Sequence, residues 1–168
     1  MKKMIAMILV LAMAVALVAC GNKAASKTPL AGTMEENTLK VMELAPVEFM
    51  GGSIPVDLAD PDAVSYFTGL DAAQITDAAV YEPMTGSQAF SLVMVRTAEG
   101  VDTKAVAEEM KAGINPRKWI CVGADDIMAA GYADTVMFIM VDSQLGLTAQ
   151  SYVDAFKSVC GGELDFTI

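Results

Sequence analysis

The chain has 168 residues, of which 54% are hydrophobic, and its 21 acidic and 11 basic residues give a formal charge of −10. This acidity argues against nucleic acid as a partner. There is no histidine, which excludes enzymes that use a histidine base and metal sites that use imidazole ligands. We therefore expect no enzymatic activity, no cofactor and no metal.

The first 20 residues have the pattern of a bacterial lipoprotein signal. Lys2 and Lys3 precede an apolar run over residues 4–18, which closes on a lipobox ending at Ala19 and Cys20. The run is shorter than the roughly 20 apolar residues that a membrane-spanning helix needs. The pattern predicts a signal peptide over residues 1–19 and acyl chains, palmitate among them, on Cys20. That lipid would anchor the mature protein to the extracytoplasmic face of the cell membrane.

The mature chain is more acidic than the precursor. Nine basic and 21 acidic residues remain after residue 19, a formal charge of −12, which favours solubility. Residues 20–33 are small and polar, as in a flexible tether. Residues 34–168 are enough for one hydrophobic core but not for two, so we expect a single domain.

The number of free cysteines depends on the lipid. With Cys20 acylated, Cys121 and Cys160 remain as a pair in a compartment that permits disulfides. A bond between them would stabilise the fold by roughly 3 to 4 kcal/mol. Two buried free thiols are the alternative.

Two short helices are predicted at the start of the domain. Residues 34–44 have an amphipathic pattern with Leu39 on the apolar side, and residues 53–58 favour an extended conformation. Asp60 followed by proline is typical of a helix start, and Gly69 should end that helix.

The remaining residues contain an internal repeat. A shift of 46 residues aligns 90–111 with 136–157 without a gap. Each copy has a weak strand, a strong apolar strand, a glycine turn and a helix capped by Asp102 or Thr148. The repeat predicts two β-β-α units, over about 75–114 and 125–160.

These units predict an α+β domain. The strong strands are apolar on both faces and should be central. We expect a duplicated β-β-α unit giving a four-stranded, mainly antiparallel sheet with two helices on one face, plus the N-terminal helices. Residues 41–58 should cover the second face, or the exposed apolar face would drive formation of a homodimer. Residues 164–168 could add an edge strand.

Two loops contain candidate partner-binding residues. Arg117, Lys118 and Trp119 follow the first repeat helix, and arginine and tryptophan often anchor interfaces. Met84 lies in the second loop, residues 83–87. In the alternative interpretation Trp119 fills the core, the cations favour the helix end, and the second loop is an ordinary hairpin turn. The lysines are expected to be exposed, which argues against a serine–lysine dyad.

Several segments resemble a known family. These are Tyr66, the sequence Gly69-Leu70-Asp71, the turn Glu82-Pro83-Met84, and the strands over residues 87–96 and 134–143. Together they resemble a small lipoprotein family of Clostridia and related Firmicutes whose single domain is of unknown function. The resemblance implies a surface lipoprotein with no established activity, ligand or catalytic residues.

The leading functional hypothesis is a non-enzymatic binding or assembly module with an unknown protein partner. The alternative is an accessory or inhibitory subunit that regulates an extracytoplasmic enzyme or transporter. A hydrolase that lacks histidine is the third hypothesis.

Overall fold

Six strands form one sheet in the computed structural model, which describes residues 27–168. The strands are β1 (Gly51–Pro55), β2 (Ile75–Pro83), β3 (Phe90–Thr97), β4 (Asp126–Tyr132), β5 (Thr135–Val141) and β6 (Phe166–Thr167). Their spatial order is β1-β2-β3-β5-β4-β6, and every neighbouring pair is antiparallel. The α+β class is confirmed. The sheet has six strands rather than the predicted four, because β1 and β6 extend its two edges.

Four helices pack on this sheet, and each begins at a side-chain cap. They are α1 (Met34–Leu44), α2 (Pro61–Thr68), α3 (Thr103–Gly113) and α4 (Ala149–Cys160). The capping side chains of Thr33, Asp60, Asp102 and Thr148 accept hydrogen bonds from backbone N–H groups of the first turn. Gly69 ends α2 in the left-handed conformation, as expected. Within residues 27–168 no helix is long and apolar enough to cross a bilayer.

The two strong strands lie side by side at the centre of the sheet, as predicted. β3 pairs with β5 from Phe90 opposite Val141 to Arg96 opposite Thr135. Apolar side chains of both strands are buried on both faces, so the sheet separates two hydrophobic clusters. One cluster includes side chains of α1 and α4, and the other includes side chains of α2 and α3.

The two repeat helices therefore lie on opposite faces of the sheet, and the prediction of two helices on one face is wrong. β2 lies outside β3 and β4 lies outside β5, while β3 and β5 run antiparallel. Two equal β-β-α units in this arrangement would be related by an axis normal to the sheet, which leaves both helices on one face. The two observed β-β-α segments instead place their helices on opposite faces and so differ in handedness. A duplicated unit is therefore not confirmed.

The 46-residue shift still has a structural basis. In each copy the aligned strand residues lie on the face of the sheet opposite to the helix that follows the strand. Because the two helices cover different faces, the aligned residues of β3 and β5 also lie on different faces. On β3 these residues are Phe90, Leu92 and Met94, and on β5 they are Val136, Phe138 and Met140. The sequence repeat thus reflects a strand followed by a helix.

Residues 41–58 do not form one cover, and Leu39 does not face the core. Val41 packs in the α1–α4 cluster, residues 51–55 form β1, and Val56 packs on the opposite face. Leu39 is 49% exposed. The strand β1 takes this segment into the sheet because its backbone pairs with β2.

Part of the predicted tether is docked on the domain. The Lys27 ammonium lies 2.8 Å from a carboxylate oxygen of Asp165. Arg96 donates hydrogen bonds to the carbonyl oxygens of Leu30 and Gly32 at 2.6 and 3.1 Å, and Leu30 packs against the α1–α4 cluster. The sequence predicts a tether over residues 20–33, but the C-terminal part of that segment is held against the domain. The signal peptide and Cys20 lie outside the described residues.

The structure contains no bond between Cys121 and Cys160, and both thiols are free. Cys160 is the last residue of α4, whereas Cys121 lies beside Asp142 and Gln144, which precede that helix. A helix of 12 residues is about 18 Å long, and a disulfide requires Cα atoms about 4.4 to 6.8 Å apart. The predicted disulfide is wrong for this fold.

Candidate functional site

The two ends of the sheet along the strand direction, which we call poles, differ in the residues found there. The tether pole is where β3 ends and the turn between β4 and β5 lies, and Lys27 docks there against Asp165. The distal pole is where β3 begins and β5 ends. The eight residues of β3 separate these poles by about 25 Å.

Both predicted candidate loops lie at the distal pole, and they contact each other. The backbone N–H of Ile120 donates to the carbonyl oxygen of Gly86 at 3.0 Å. A Cβ added at Gly86 would lie 3.4 Å from the Ile120 side chain. The two loops therefore form one surface, although they are more than 30 residues apart in the chain.

We call five exposed apolar side chains near this surface the distal patch. They are Met50, Ile54, Tyr66, Met84 and Ile120. The Met84 N–H donates to the Met50 carbonyl oxygen at 2.9 Å, and Ile54, Tyr66 and Met84 line one groove of about 400 Å³. These five are among eight exposed large apolar side chains of the described residues, and each belongs to the groove or to a segment that hydrogen-bonds to its neighbouring loop. Such clustering is typical of an interaction surface.

Lys118 lies beneath this surface, and the prediction that the lysines are exposed is wrong for it. Its side chain is 3% exposed and forms an ion pair with Glu82. Its ammonium also lies 5.2 Å from the ring centre of Tyr66 and 5.6 Å from that of Trp119, within range for cation–π attraction. Burial lowers the pKa of Lys118, and the Glu82 carboxylate opposes that shift. Lys118 therefore holds the loop to β2 and is not available to a partner.

A serine completes this polar cluster. The Ser91 hydroxyl donates to Glu82 at 2.9 Å, and the Lys118 ammonium donates to the Ser91 oxygen at 3.4 Å. A lysine with a lowered pKa beside a serine is the chemistry of a serine–lysine dyad. Ser91 is fully buried on β3, so its oxygen has no access to a substrate in this conformation.

The other candidate residues have different surroundings. Arg117 is exposed and lies against Gly123, on the β4 side of the pole. Trp119 is partly buried and packs against the α2–α3 cluster. Met84 is 73% exposed in the distal patch. The structure thus brings Met84 and Trp119 into one region and places Arg117 beside Gly123, toward β4.

Sequence reasoning missed Glu82 and Ser91 of the polar cluster and four residues of the distal patch. Glu82 had only the signal of a carboxylate before a turn, Ser91 was one residue of an apolar strand, and the patch residues were apolar residues in short segments: Met50, Ile54, Tyr66 and Ile120. Their exposure depends on which neighbours the fold supplies. Isolated apolar residues at the surface are common and carry no functional signal in a sequence.

Two adjacent acidic residues, Asp125 and Asp126, cap backbone N–H groups. Asp125 accepts hydrogen bonds from the Ser143 N–H and hydroxyl, both at 2.7 Å, and these bonds lower the pKa of its carboxyl group. Asp126 accepts from the Ala149 N–H at 2.8 Å, at the start of α4. In residues 27–168 no group of three potential metal ligands is assembled.

Comparison with protein-family models, curated proteins and solved structures finds no match to this chain. The resemblance to the clostridial lipoprotein family therefore stays a prediction.

Proposed function

We propose that this chain is a membrane-anchored extracytoplasmic lipoprotein that works as a non-enzymatic binding or assembly module through the distal patch. The observation that carries the proposal is the distal patch itself: the exposed side chains of Ile54, Tyr66 and Met84 line one groove, and exposed Met50 and Ile120 belong to segments that hydrogen-bond to the adjoining loop. Acylation of Cys20 is the predicted anchor.

The position of the anchor supports this choice of surface. Six residues lie between Cys20 and Lys27, and this stretch can span at most about 25 Å. Because Lys27 docks at the tether pole, that pole would lie near the bilayer. The distal patch would then face away from the membrane, where a second protein can reach it.

The polar cluster supports a non-enzymatic role. Ser91 and Lys118 have the chemistry of a dyad but lack access to solvent. Asp60, Asp125 and Asp126 accept backbone hydrogen bonds at helix or turn starts. These polar groups are engaged in holding the fold.

Site-specific crosslinking in intact cells tests the proposed surface. A photoreactive amino acid at Met84 should give a discrete crosslinked product, whereas the same residue at Leu39 should not. Leu39 is a suitable control because it is exposed and apolar but lies on α1, outside the patch. Equal crosslinking at both positions would contradict a binding role for the patch.

Membrane fractionation tests the anchor separately. The Cys20→Ala variant should leave the membrane fraction, and the wild-type protein should carry a diacylglyceryl group detectable by mass spectrometry. A variant that stays in the membrane fraction would contradict the lipid anchor without bearing on the patch.

A further inference from the structure

Within residues 27–168, the outer edge of β1 has backbone groups without partners. In this part of the chain β1 ends the sheet and pairs only with β2. Val56 and Met50 hydrogen-bond inward to β2 and its extension, and inward bonding alternates along an antiparallel ladder. Gly51, Ser53 and Pro55 therefore direct their backbone groups outward. Among the described residues none bonds to these outward groups, so the edge offers two N–H donors and three carbonyl acceptors.

The groove lies alongside this edge. Ile54, Tyr66 and Met84 form its walls, and Gly52 leaves part of it open. A Cβ placed on Gly52 would meet no atom within 4 Å. A strand that paired with β1 would direct alternate side chains to this face of the sheet. The edge and the groove together have the layout of a strand-addition site, in which the backbone supplies affinity and the groove supplies specificity.

The charge around this edge indicates the kind of partner. Residues 41–95, which include β1, α2 and β2, contain eight acidic and no basic residues. Lys118, whose ammonium lies beside the Tyr66 ring of the groove, is already paired with Glu82. A partner segment with lysine or arginine would therefore be attracted to this acidic region.

The same charge argues against a second copy of this chain as the occupant. Pairing β1 with β1 across a two-fold axis would bring two wholly acidic regions together. It would also place Pro55 of each copy opposite Gly51 of the other, and proline has no N–H to donate. A homodimer at this edge is thus penalised in both charge and hydrogen bonding.

We propose that the β1 edge binds an extended, cationic segment of another protein by strand addition, with apolar side chains at alternate positions entering the groove. The proposal rests on the proposed function as a binding module and specifies the partner's chemistry. It places the binding groups on the backbone of Gly51 and Ser53 and in the groove beside Ile54.

A designed peptide tests this proposal with the full mature protein in nanodiscs. The probe is a short fluorescent peptide that alternates valine and lysine. It should bind saturably, and more weakly as ionic strength rises. Two control peptides should not bind: one with glutamate in place of lysine, and one of the same sequence with N-methylated backbone at alternate residues, which lacks the N–H donors that pair with a sheet edge.

Two variants test the two parts of the site. Gly52→Leu fills the groove at a position with space for a side chain, and Ser53→Pro removes one outward N–H. Each should weaken binding by about tenfold or more. Leu39→Ala should leave binding unchanged, because exposed Leu39 lies on α1, outside the edge and the groove. Circular dichroism and the urea midpoint of each variant show that the fold is retained.

Three outcomes would overturn the proposal. The alternating peptide could fail to bind, or Gly52→Leu and Ser53→Pro could bind it as well as the wild type. A wild-type dimer that Ser53→Pro converts to a monomer would assign the edge to a second copy. None of these results would affect crosslinking from Met84, so the proposed function is tested independently.

Discussion

Burial gives Lys118 a different role from the one predicted for it. In the sequence it is a cation beside tryptophan in a loop, which favours an interface. In the fold its side chain is enclosed by Glu82, Ser91 and Tyr66. An ion pair enclosed in this way contributes to stability only while both partners are present.

Glu82→Gln should therefore destabilise the fold by about 3 kcal/mol near pH 7, because it leaves a buried ammonium without a carboxylate. The folded-state pKa of Lys118 is already lowered by burial and should fall further without Glu82. Between that pKa and the unfolded value of 10.5, the Lys118 amine binds more protons in the unfolded state, so its own contribution to stability rises with pH. The penalty for Glu82→Gln should shrink at alkaline pH, as measured by urea denaturation.

A double variant separates the ion pair from simple packing. Lys118→Met combined with Glu82→Gln should recover at least about 1 kcal/mol relative to the sum of the single changes. Glu99→Gln, an exposed carboxylate at the tether pole, is the control and should change stability little. Additive effects of Lys118→Met and Glu82→Gln would show that the two side chains act independently.

The two free cysteines should differ in reactivity. Cys121 is exposed and should react with a thiol reagent in the native protein, whereas buried Cys160 should react only after unfolding. Denatured mature protein should yield two thiols without reductant, because neither is bonded. If the number of reactive thiols rose only after reduction, a disulfide between Cys121 and Cys160 would be present after all.

Burial of Cys160 should also make the protein sensitive to alkali. Burial raises the pKa of this thiol to about 12 from 9.0. Between these values the folded state keeps a proton that the unfolded state has lost, so stability falls as pH rises. The slope should reach about 1.4 kcal/mol per pH unit. Cys160→Ala should reduce it and Cys121→Ala should not; Tyr152, whose pKa burial raises to about 12, contributes above pH 10.

At the scale of elements, local signals predicted more than non-local ones. Asp60 and Gly69 mark the ends of α2 in the sequence as in the fold, because caps depend on neighbouring residues. The central position of β3 and β5 followed from their apolar character on both faces. Which face each repeat helix covers depends on the path of the chain between strands, and no local pattern encodes that path.

The docking of residues 27–33 is a non-local event of the same kind. Lys27 and Asp165 lie near opposite ends of the described chain, so their contact leaves no pattern in the sequence. Small polar residues suggested a tether because they bury little surface. The segment is nonetheless held by Arg96, whose guanidinium donates to two of its carbonyl oxygens.

Arg96→Ala should release this segment without unfolding the domain. Hydrogen bonds from a charged donor contribute about 1.5 to 3 kcal/mol, which corresponds to about a tenfold to hundredfold rise in hydrogen exchange over residues 27–33. Exchange in β3 and β5 should stay slow. Arg117→Ala, which removes an exposed arginine elsewhere, should leave the segment protected; equal protection in both variants would show that Arg96 does not hold it.

At the scale of the whole molecule, charge and apolar surface are distributed unevenly. The distal patch lies near one pole, and residues 41–95, which include β1, α2 and β2, carry no basic residue. The tether pole carries the paired cations Lys27 and Arg96. A lipid on Cys20 would hold the tether pole close to the bilayer, since the chain between Cys20 and Lys27 is short. The molecule would then have a defined orientation relative to the membrane.

This orientation predicts different distances from the bilayer for the two poles. Glu99→Cys and Met84→Cys, each in a Cys121→Ser background, place a fluorophore at the tether and distal poles. In nanodiscs with paramagnetic Ni²⁺-chelating lipids, quenching should be several-fold stronger at position 99, because position 84 lies about 25 Å further along the sheet. Each label should leave the urea midpoint unchanged.

A longer tether tests the cause of that difference. A glycine–serine insertion between residues 26 and 27 lets the domain move away and rotate, so quenching at the two positions should become similar. Equal quenching without the insertion would mean that docking of Lys27 does not orient the domain. Stronger quenching at position 84 would place the distal patch on the bilayer, and a lipid surface, rather than a cationic protein segment, would then cover it.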